Sequence, residues 1–378
     1  MKKIGILGGG QLGRMLLQAG ANYPVQISVL EKESNCPSAF FTNDLTTGDI
    51  TNFDDVYNFG KHLDAVAIEI ESVNIDALLQ LQNEGVAVYP KPEALTVINS
   101  KILQKQFYYK HEIPTSEFVI TNHSDEIKHH PNLIPAVHKI ASGGYDGKGV
   151  AIINSIDEAS KGFNAPAVLE RKVTIKKEIA IIAAVSNTGE MIIYPPVEMI
   201  FDQDLNLLDY QISPADLPEN ILWRAEAITR TVVKNLNSPG IFAVEMFVDD
   251  KNDVYVNETA PRVHNSGHHT IEANYSSQFD MLWRIMLNYP LGNTAPIINA
   301  AMVNIIGAEG YSGKPMYDGL DKVLQLQNVF VHLYGKPLTK PGKKMGHVTI
   351  LSNERQELIH TAHKIKHTLR VISDTSGT

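Results

Sequence analysis

The sequence predicts a multidomain chain of mixed class, α/β passing into α+β, with a Rossmann-like parallel sheet first and a small β-rich unit last. Three observations predict it. Up to residue 89, short apolar runs alternate with helical stretches, the pattern of a parallel sheet covered on both faces. After that, longer strand-like runs with flanking helices suggest antiparallel pairing. Finally, the chain has 378 residues, and domains of roughly 100–200 residues make two or three the expected number.

Taken in order, 2–7 is apolar enough for a buried strand, 8–10 is a glycine turn and 11–21 has helical spacing. Strands are expected at 26–31, 65–70 and 86–89, with a helix over 75–84. Pro90-Lys91-Pro92 interrupts this alternation and marks the first domain boundary. A helix over 101–110 then leads to strands at 136–141, 167–173, 178–185 and 191–194, with a helix at 222–236. The run 241–248 and the alternating 253–256 flank Asp249-Asp250-Lys251-Asn252, a hairpin-turn composition. From about 293, strands at 301–306, 329–334 and 347–351 precede a helix at 354–369, and 373–378 has the composition of a disordered tail. The domains expected are therefore 1–91, 92–291 and 292–378.

Composition narrows the function. Hydrophobic residues make up 43% and charged residues 20%, as in ordinary globular proteins. A net charge of −9 with no basic tract argues against nucleic acid or a membrane surface as partner. The cluster 336–344 suits one small anion. A lone cysteine, Cys36, excludes an internal disulfide and fits a reducing compartment. With no signal-like or membrane-length apolar segment, a cytoplasmic protein is expected.

The densest chemistry lies in 256–268, where Asn257, Glu258, Arg262, His264 and Asn265 follow a strand. Glu245 sits at the centre of the preceding strand and is expected to face Glu258 across an antiparallel pair. Two carboxylates about 4 Å apart at an effective dielectric near 20 repel by roughly 4 kcal/mol. An oxygen-preferring Mg²⁺ that also binds phosphates would compensate. The plainer alternative is an edge hairpin with solvated acids.

Two glycine loops point in different directions. Gly8, Gly10 and Gly13 form G-x-G-x-x-G between strand and helix, and Glu31 ends the next strand, as in dinucleotide-binding proteins. The same backbone amides would equally cradle a monophosphate. The second loop, 143–149, joins two strands instead of opening a helix, and carries Gly144, Gly147, Gly149 and Lys148. It reads as a flap that closes on a polyphosphate. It lacks the G-K-[ST] ending of a P-loop. A nicotinamide enzyme has no use for this flap together with paired acids.

At this point the chain resembles the ATP-grasp ligases, and within them the 5-(carboxyamino)imidazole ribonucleotide synthetases. The segments Gly8-Gly9-Gly10-Gln11-Leu12-Gly13-Arg14-Met15, 143–149, 257–268 and Gly342-Lys343-Lys344-Met345-Gly346-His347 carry the resemblance, in order along the whole chain. It implies an ATP-grasp fold: a pre-ATP-grasp domain, an ATP-grasp domain and a small C-terminal domain. It also implies a reaction in which ATP, bicarbonate and 5-aminoimidazole ribonucleotide give the carbamate, ADP and phosphate.

By position, the resemblance assigns Lys101, Lys139, Glu170, Arg171, Val173, Glu178 and Asn257 to the nucleotide, with 170–173 offering backbone groups to adenine and Glu178 accepting ribose hydroxyls. Glu245 and Glu258 would hold Mg²⁺, with Mn²⁺ as a substitute. Gln11, Leu12, Glu71, Asn265, Lys336, Lys343 and Lys344 would bind substrate, Glu71 by accepting from its amino group. Tyr145, Asp146, Lys148, Arg262 and His264 would serve the chemistry. The ribose phosphate would lie on Gln11, the loop amides and the C-terminal lysines. A homodimer is implied as well.

Departures are Lys101 where arginine is more usual, Phe201 for histidine, Val263 for proline, and Lys343 for arginine, which leaves the phosphate contact to Lys343 or Lys340. His268 and His269 are expected to be loop residues without a role. The alternatives are a formate-using or biotin carboxylase-like ATP-grasp ligase, an NAD-linked oxidoreductase and a non-catalytic nucleotide-binding subunit.

Overall fold

The computed structural model describes residues 1–143, 149–202 and 207–373. The N-terminal part is a five-stranded parallel sheet in the order Leu45–Thr47, Val25–Glu31, Lys2–Leu7, Ala65–Ile68, Ala87–Tyr89. In its central strands residues 4–7 and 65–68 are apolar because both faces are covered there, and Ile4, Ile6, Val66 and Ala67 are fully buried. Helices Phe53–Gly60 and Ile75–Asn83 begin where Asn52 and Asn74 cap free backbone N–H groups. The sequence analysis missed Leu45–Thr47 and Phe53–Gly60, a three-residue edge strand and a short helix with little apolar periodicity.

Two expected boundaries change in ways that matter. The strand ends at Ile68, not at 70, so Glu69 and Glu71 lie in the crevice beyond the sheet's carboxyl edge. Pro92 does not interrupt order but opens the helix Pro92–Ile98, where its fixed φ and missing N–H are tolerated.

Beyond residue 110 the described residues form two larger antiparallel sheets and one two-stranded antiparallel sheet. The smaller of the larger two runs Phe118–Thr121, Ala167–Arg171, Ala136–Ile140, Val150–Ile153. The large one runs Val254–Ala260, Gly240–Asp249, Ile175–Val185, Val197–Asp202, Leu207–Ser213, Ala300–Ile306, Lys344–Leu351, Val329–Leu333, with Met191–Ile193 also on Ile175–Val185. The C-terminal strands thus continue the central sheet through the Leu207–Ser213 and Ala300–Ile306 pair. Helix Glu219–Leu236 buries Ile221, Ala225, Val232 and Val233 on one sheet face. The N-terminal part is fastened on by the Trp283 indole, which donates to the Leu16 carbonyl at 2.7 Å. Ser373, expected in the tail, ends the strand Arg370–Ser373 against Pro315–Asp318, while 374–378 lie outside the described residues.

Candidate active site

The acid hairpin forms as expected in outcome but not in construction. Val248 pairs with Val254, Phe247 with Tyr255 and Met246 with Val256, so a regular ladder would set Glu245 opposite Asn257. Instead a bulge lies between Glu245 and Met246, and Glu245 pairs with Glu258. The strand also runs on to Ala260 instead of stopping at 256. Side chains alternate across a strand, so without the extra residue Glu258 would point away from Glu245. Ala180 pairs with Glu245 from the other side, which puts Glu178 two residues along on the same face.

One cation and one neutral ring face these acids. Lys101 Nζ lies 2.8 Å from Glu258, and His264 Nε2 lies 3.5 Å from Glu245. Burial and then the charge of Glu258 push Glu245 above the ordinary carboxylate range, whereas Lys101 holds Glu258 below it. Burial alone raises Glu178 to about 7. The pair thus carries less than two negative charges at neutral pH. The donor chemistry of the pair, two hard carboxylate oxygens, fits a divalent cation, although among the described residues no group of three His, Cys, Asp or Glu could hold one by itself. The remaining ligands would then be phosphate and water oxygens.

Beside the acids, Lys139 Nζ donates to Asn257 at 2.9 Å and lies 3.2 Å from Glu170. Burial works to raise Glu170, but Lys139 and Lys105 outweigh it and bring the carboxyl down to about 2. Lys105, missed from the sequence, lies one helical turn from Lys101; that i, i+4 spacing was the available signal. Arg171 departs from expectation: its guanidinium pairs with Glu117 at 2.7 Å on the surface, and its N–H is held by the Glu117 carbonyl. The strand stops at Arg171, so Val173 lies beyond it. Gly149, at φ +80°, anchors the second glycine loop through a bond from the Ile140 amide. Gly144, Tyr145, Asp146, Gly147 and Lys148 lie outside the described residues.

Arg262 reaches from the hairpin to Glu71 at 2.9 Å, and its Nε is buried without a partner. Glu71 is therefore engaged by the guanidinium rather than standing open to an amine. The Ser266 amide donates to His264 Nδ1 at 3.3 Å, which leaves the ring proton on Nε2, toward Glu245. Burial, then Arg262 and Lys344, lower the His264 pKa to about 3, so the ring is a neutral donor. Asn265 Oδ1 is buried and unpartnered. His268 and His269 lie in a turn, as expected, but both are buried: the His268 ring centroid is 4.7 Å from that of His347, tilted, and burial keeps both neutral.

The first glycine loop holds a ligand from its own chain. Gly9 N–H donates to Glu31 at 2.8 Å, and Gly13 N–H donates to Glu69. A Cβ on Gly10 would fall 2.1 Å from the Glu69 carboxylate, so the glycines make room for that acid. Two expected phosphate-binding amides are already used, and both dinucleotide marks, the loop and Glu31, are turned inward. Leu12 packs into the core, so its side chain is not a substrate contact.

Burial lifts Glu69 to about 7. An acid raised on folding favours the fold while protonated, and that advantage disappears as pH climbs from 4.5 through about 7. At the far end the cost reaches up to about 3 kcal/mol. Glu69→Gln should therefore raise the melting temperature by several degrees near pH 8 and by much less near pH 5. A difference independent of pH would contradict this account.

Over the loop lies a cleft of about 250 Å³ lined by Gly10, Gln11, Glu69, Lys336 and Lys343. Lys336 Nζ donates to Gln11 at 2.5 Å, and Lys343 Nζ to the Leu338 carbonyl at 2.8 Å. Lys344 instead acts on Glu245 and His264. The lysines expected to share one phosphate are thus divided: Lys343 lies in the loop before the strand Lys344–Leu351, and Lys344 is its first residue.

Residues 106–279 match the family model described as the ATP-grasp domain, the class to which a two-sheet cleft with an acid hairpin points. Residues 1–99 match the ribonucleotide synthetase preATP-grasp domain, and 300–361 the phosphoribosylaminoimidazole carboxylase C-terminal domain. The chain is 34% identical to N5-carboxyaminoimidazole ribonucleotide synthetase from Thermotoga maritima, with a TM-score of 0.91 over 99% of this chain and 100% of that one. It therefore belongs to the N5-carboxyaminoimidazole ribonucleotide synthetase family. The Aspergillus clavatus synthase, solved with ADP and 5-aminoimidazole ribonucleotide, is 28% identical with a TM-score of 0.88, over 97% of this chain and 98% of that one. Phosphoribosylaminoimidazole carboxylase of Candida albicans is 32% identical over 94% of this chain, which spans only 65% of that longer protein.

Proposed function

We propose that the chain uses ATP and bicarbonate to carboxylate the exocyclic amine of 5-aminoimidazole ribonucleotide, releasing ADP and phosphate, in purine biosynthesis. The observation that carries this reading is the cross-strand pair of Glu245 and Glu258 with Arg262 and His264 at its end.

Bicarbonate is a weak electrophile, and its oxygen must attack the terminal phosphorus of ATP. Glu245 and Glu258 would hold Mg²⁺, which when bound neutralises phosphate charge. Lys101 and Lys139 would grip the phosphates, Lys101 leaving Glu258 to do so. Arg262 would orient bicarbonate, because its planar fork matches a three-oxygen anion, with Glu71 fixing the guanidinium. Neutral His264 would donate Nε2–H to an oxygen of carboxyphosphate instead of acting as a base. Carboxyphosphate then splits to CO₂ and phosphate, and the substrate amine adds to CO₂ with loss of a proton. The flap 143–149 would keep water from the intermediate.

In this reading the ribose phosphate lies in the cleft with Gln11, Lys336 and Lys343. Lys343→Ala should raise the ribonucleotide KM about tenfold and leave the ATP KM unaltered, whereas Lys344→Ala should lower kcat. Identical kinetic effects from the two would refute the division of these lysines. The reading also places the enzyme in the cytoplasm as a homodimer, with functional domains 1–91, 92–291 and 292–378. Among the described residues no helix is long and apolar enough to cross a membrane.

The test is ADP release with bicarbonate, with and without 5-aminoimidazole ribonucleotide. Dependence on both is expected; turnover with formate in place of bicarbonate would favour the transformylase alternative.

A further inference from the structure

Two lysines share one buried carboxylate beside the acid hairpin, which leaves that group of three with one positive charge in excess. Glu170 receives Lys105 at 2.9 Å on one oxygen and Lys139 at 3.2 Å on the other. The two lysines differ in what else they touch. Lys105 is sequestered, its side chain 4% exposed, and it also meets the hydroxyls of Thr115 at 2.5 Å and Ser116 at 3.4 Å. Its three N–H donors thus have three oxygens around them. Lys139 instead extends to Asn257, the bulge residue next to Glu258. Ser116 Oγ further fixes Glu170 at 2.7 Å.

We infer that Lys105 is a positioning residue for nucleotide binding: by neutralising Glu170 it frees Lys139 from that carboxylate for the phosphates. The inference rests on the proposed ATP site but concerns a residue with no place in the phosphate shell itself. Were Lys105 absent, Glu170 and Lys139 would form a neutral pair, and an anion arriving at Asn257 would have to compete with Glu170 for the lysine. The cost of burying Lys105, whose pKa burial lowers to about 8, is consistent with a role beyond packing. A methionine of similar length would fill the same space without charge.

The test compares ADP binding by calorimetry in the full chain, with no bicarbonate or ribonucleotide present, for the parent, Lys105→Met and Lys105→Met/Glu170→Gln. Lys105→Met should weaken ADP about tenfold, and the double variant should recover most of that loss because Lys139 is again unopposed. In steady state the ATP KM should rise while the ribonucleotide KM holds. Unchanged ADP affinity in Lys105→Met, or a double variant weaker than the single one, would overturn the inference. Should Lys105→Met fail to fold, Lys105→Gln takes its place with the same outcomes. A parent chain that binds no ADP would instead defeat the ATP reading, so the two failures are distinguishable.

Discussion

Arg262→Ala is expected to reduce bicarbonate-dependent turnover about a thousandfold, the scale of losing a positioned group that stabilises charge in the transition state. The guanidinium has two attachments to lose, Glu71 at 2.9 Å and the Val263 carbonyl at 3.0 Å, and its buried Nε finds no acceptor among the described residues. The unpartnered Nε is the group most in need of an anion, since an unsatisfied buried donor is costly. Lysine at this position keeps the charge and loses the fork, so Arg262→Lys should recover little. ADP affinity should hold in both variants, because Lys101 and Lys139 are untouched. Near-normal carboxylation by Arg262→Ala would show that bicarbonate is held elsewhere.

Glu258→Gln should cut turnover about a hundredfold and raise the Mg²⁺ concentration needed for half-maximal rate. One carboxylate of the pair then becomes a neutral amide, and Lys101 loses its 2.8 Å partner. Glu245, relieved of its neighbour's charge, should ionise at lower pH, although burial still raises it. The measurement is ADP binding at graded Mg²⁺, read separately from rate. An unaltered metal dependence would remove Glu258 from the cation site.

Both predictions concern residues legible in the sequence, because hairpin turn, central acid and the cluster after it sit close together in the chain. What sequence reading missed depended on distance or on where a strand begins. Glu69 belongs to the glycine loop only because the sheet brings the end of its fourth strand in chain order beside the first. The loop therefore matched a dinucleotide fingerprint while serving an internal acid. Lys105 and Glu170 meet across 65 positions, and neither stands out locally. His268 and His269 are turn histidines, as their neighbourhood suggests, and their burial comes from distant partners, His347 for the first and Gln211 for the second. The separation of Lys343 from Lys344 falls at the boundary between a loop and the strand that begins at Lys344, which local sequence does not mark.

The bulge at Asn257 carries a lesson for engineering and for comparing relatives. The meeting of the two carboxylates on one face is encoded by odd-versus-even counting between two glutamates, not by their presence. A chain shortened by Asn257 would keep both glutamates, lose the partner of Lys139 and aim one acid at the wrong layer of the protein. Conversely, transplanting this hairpin into another scaffold requires copying its miscount along with its letters.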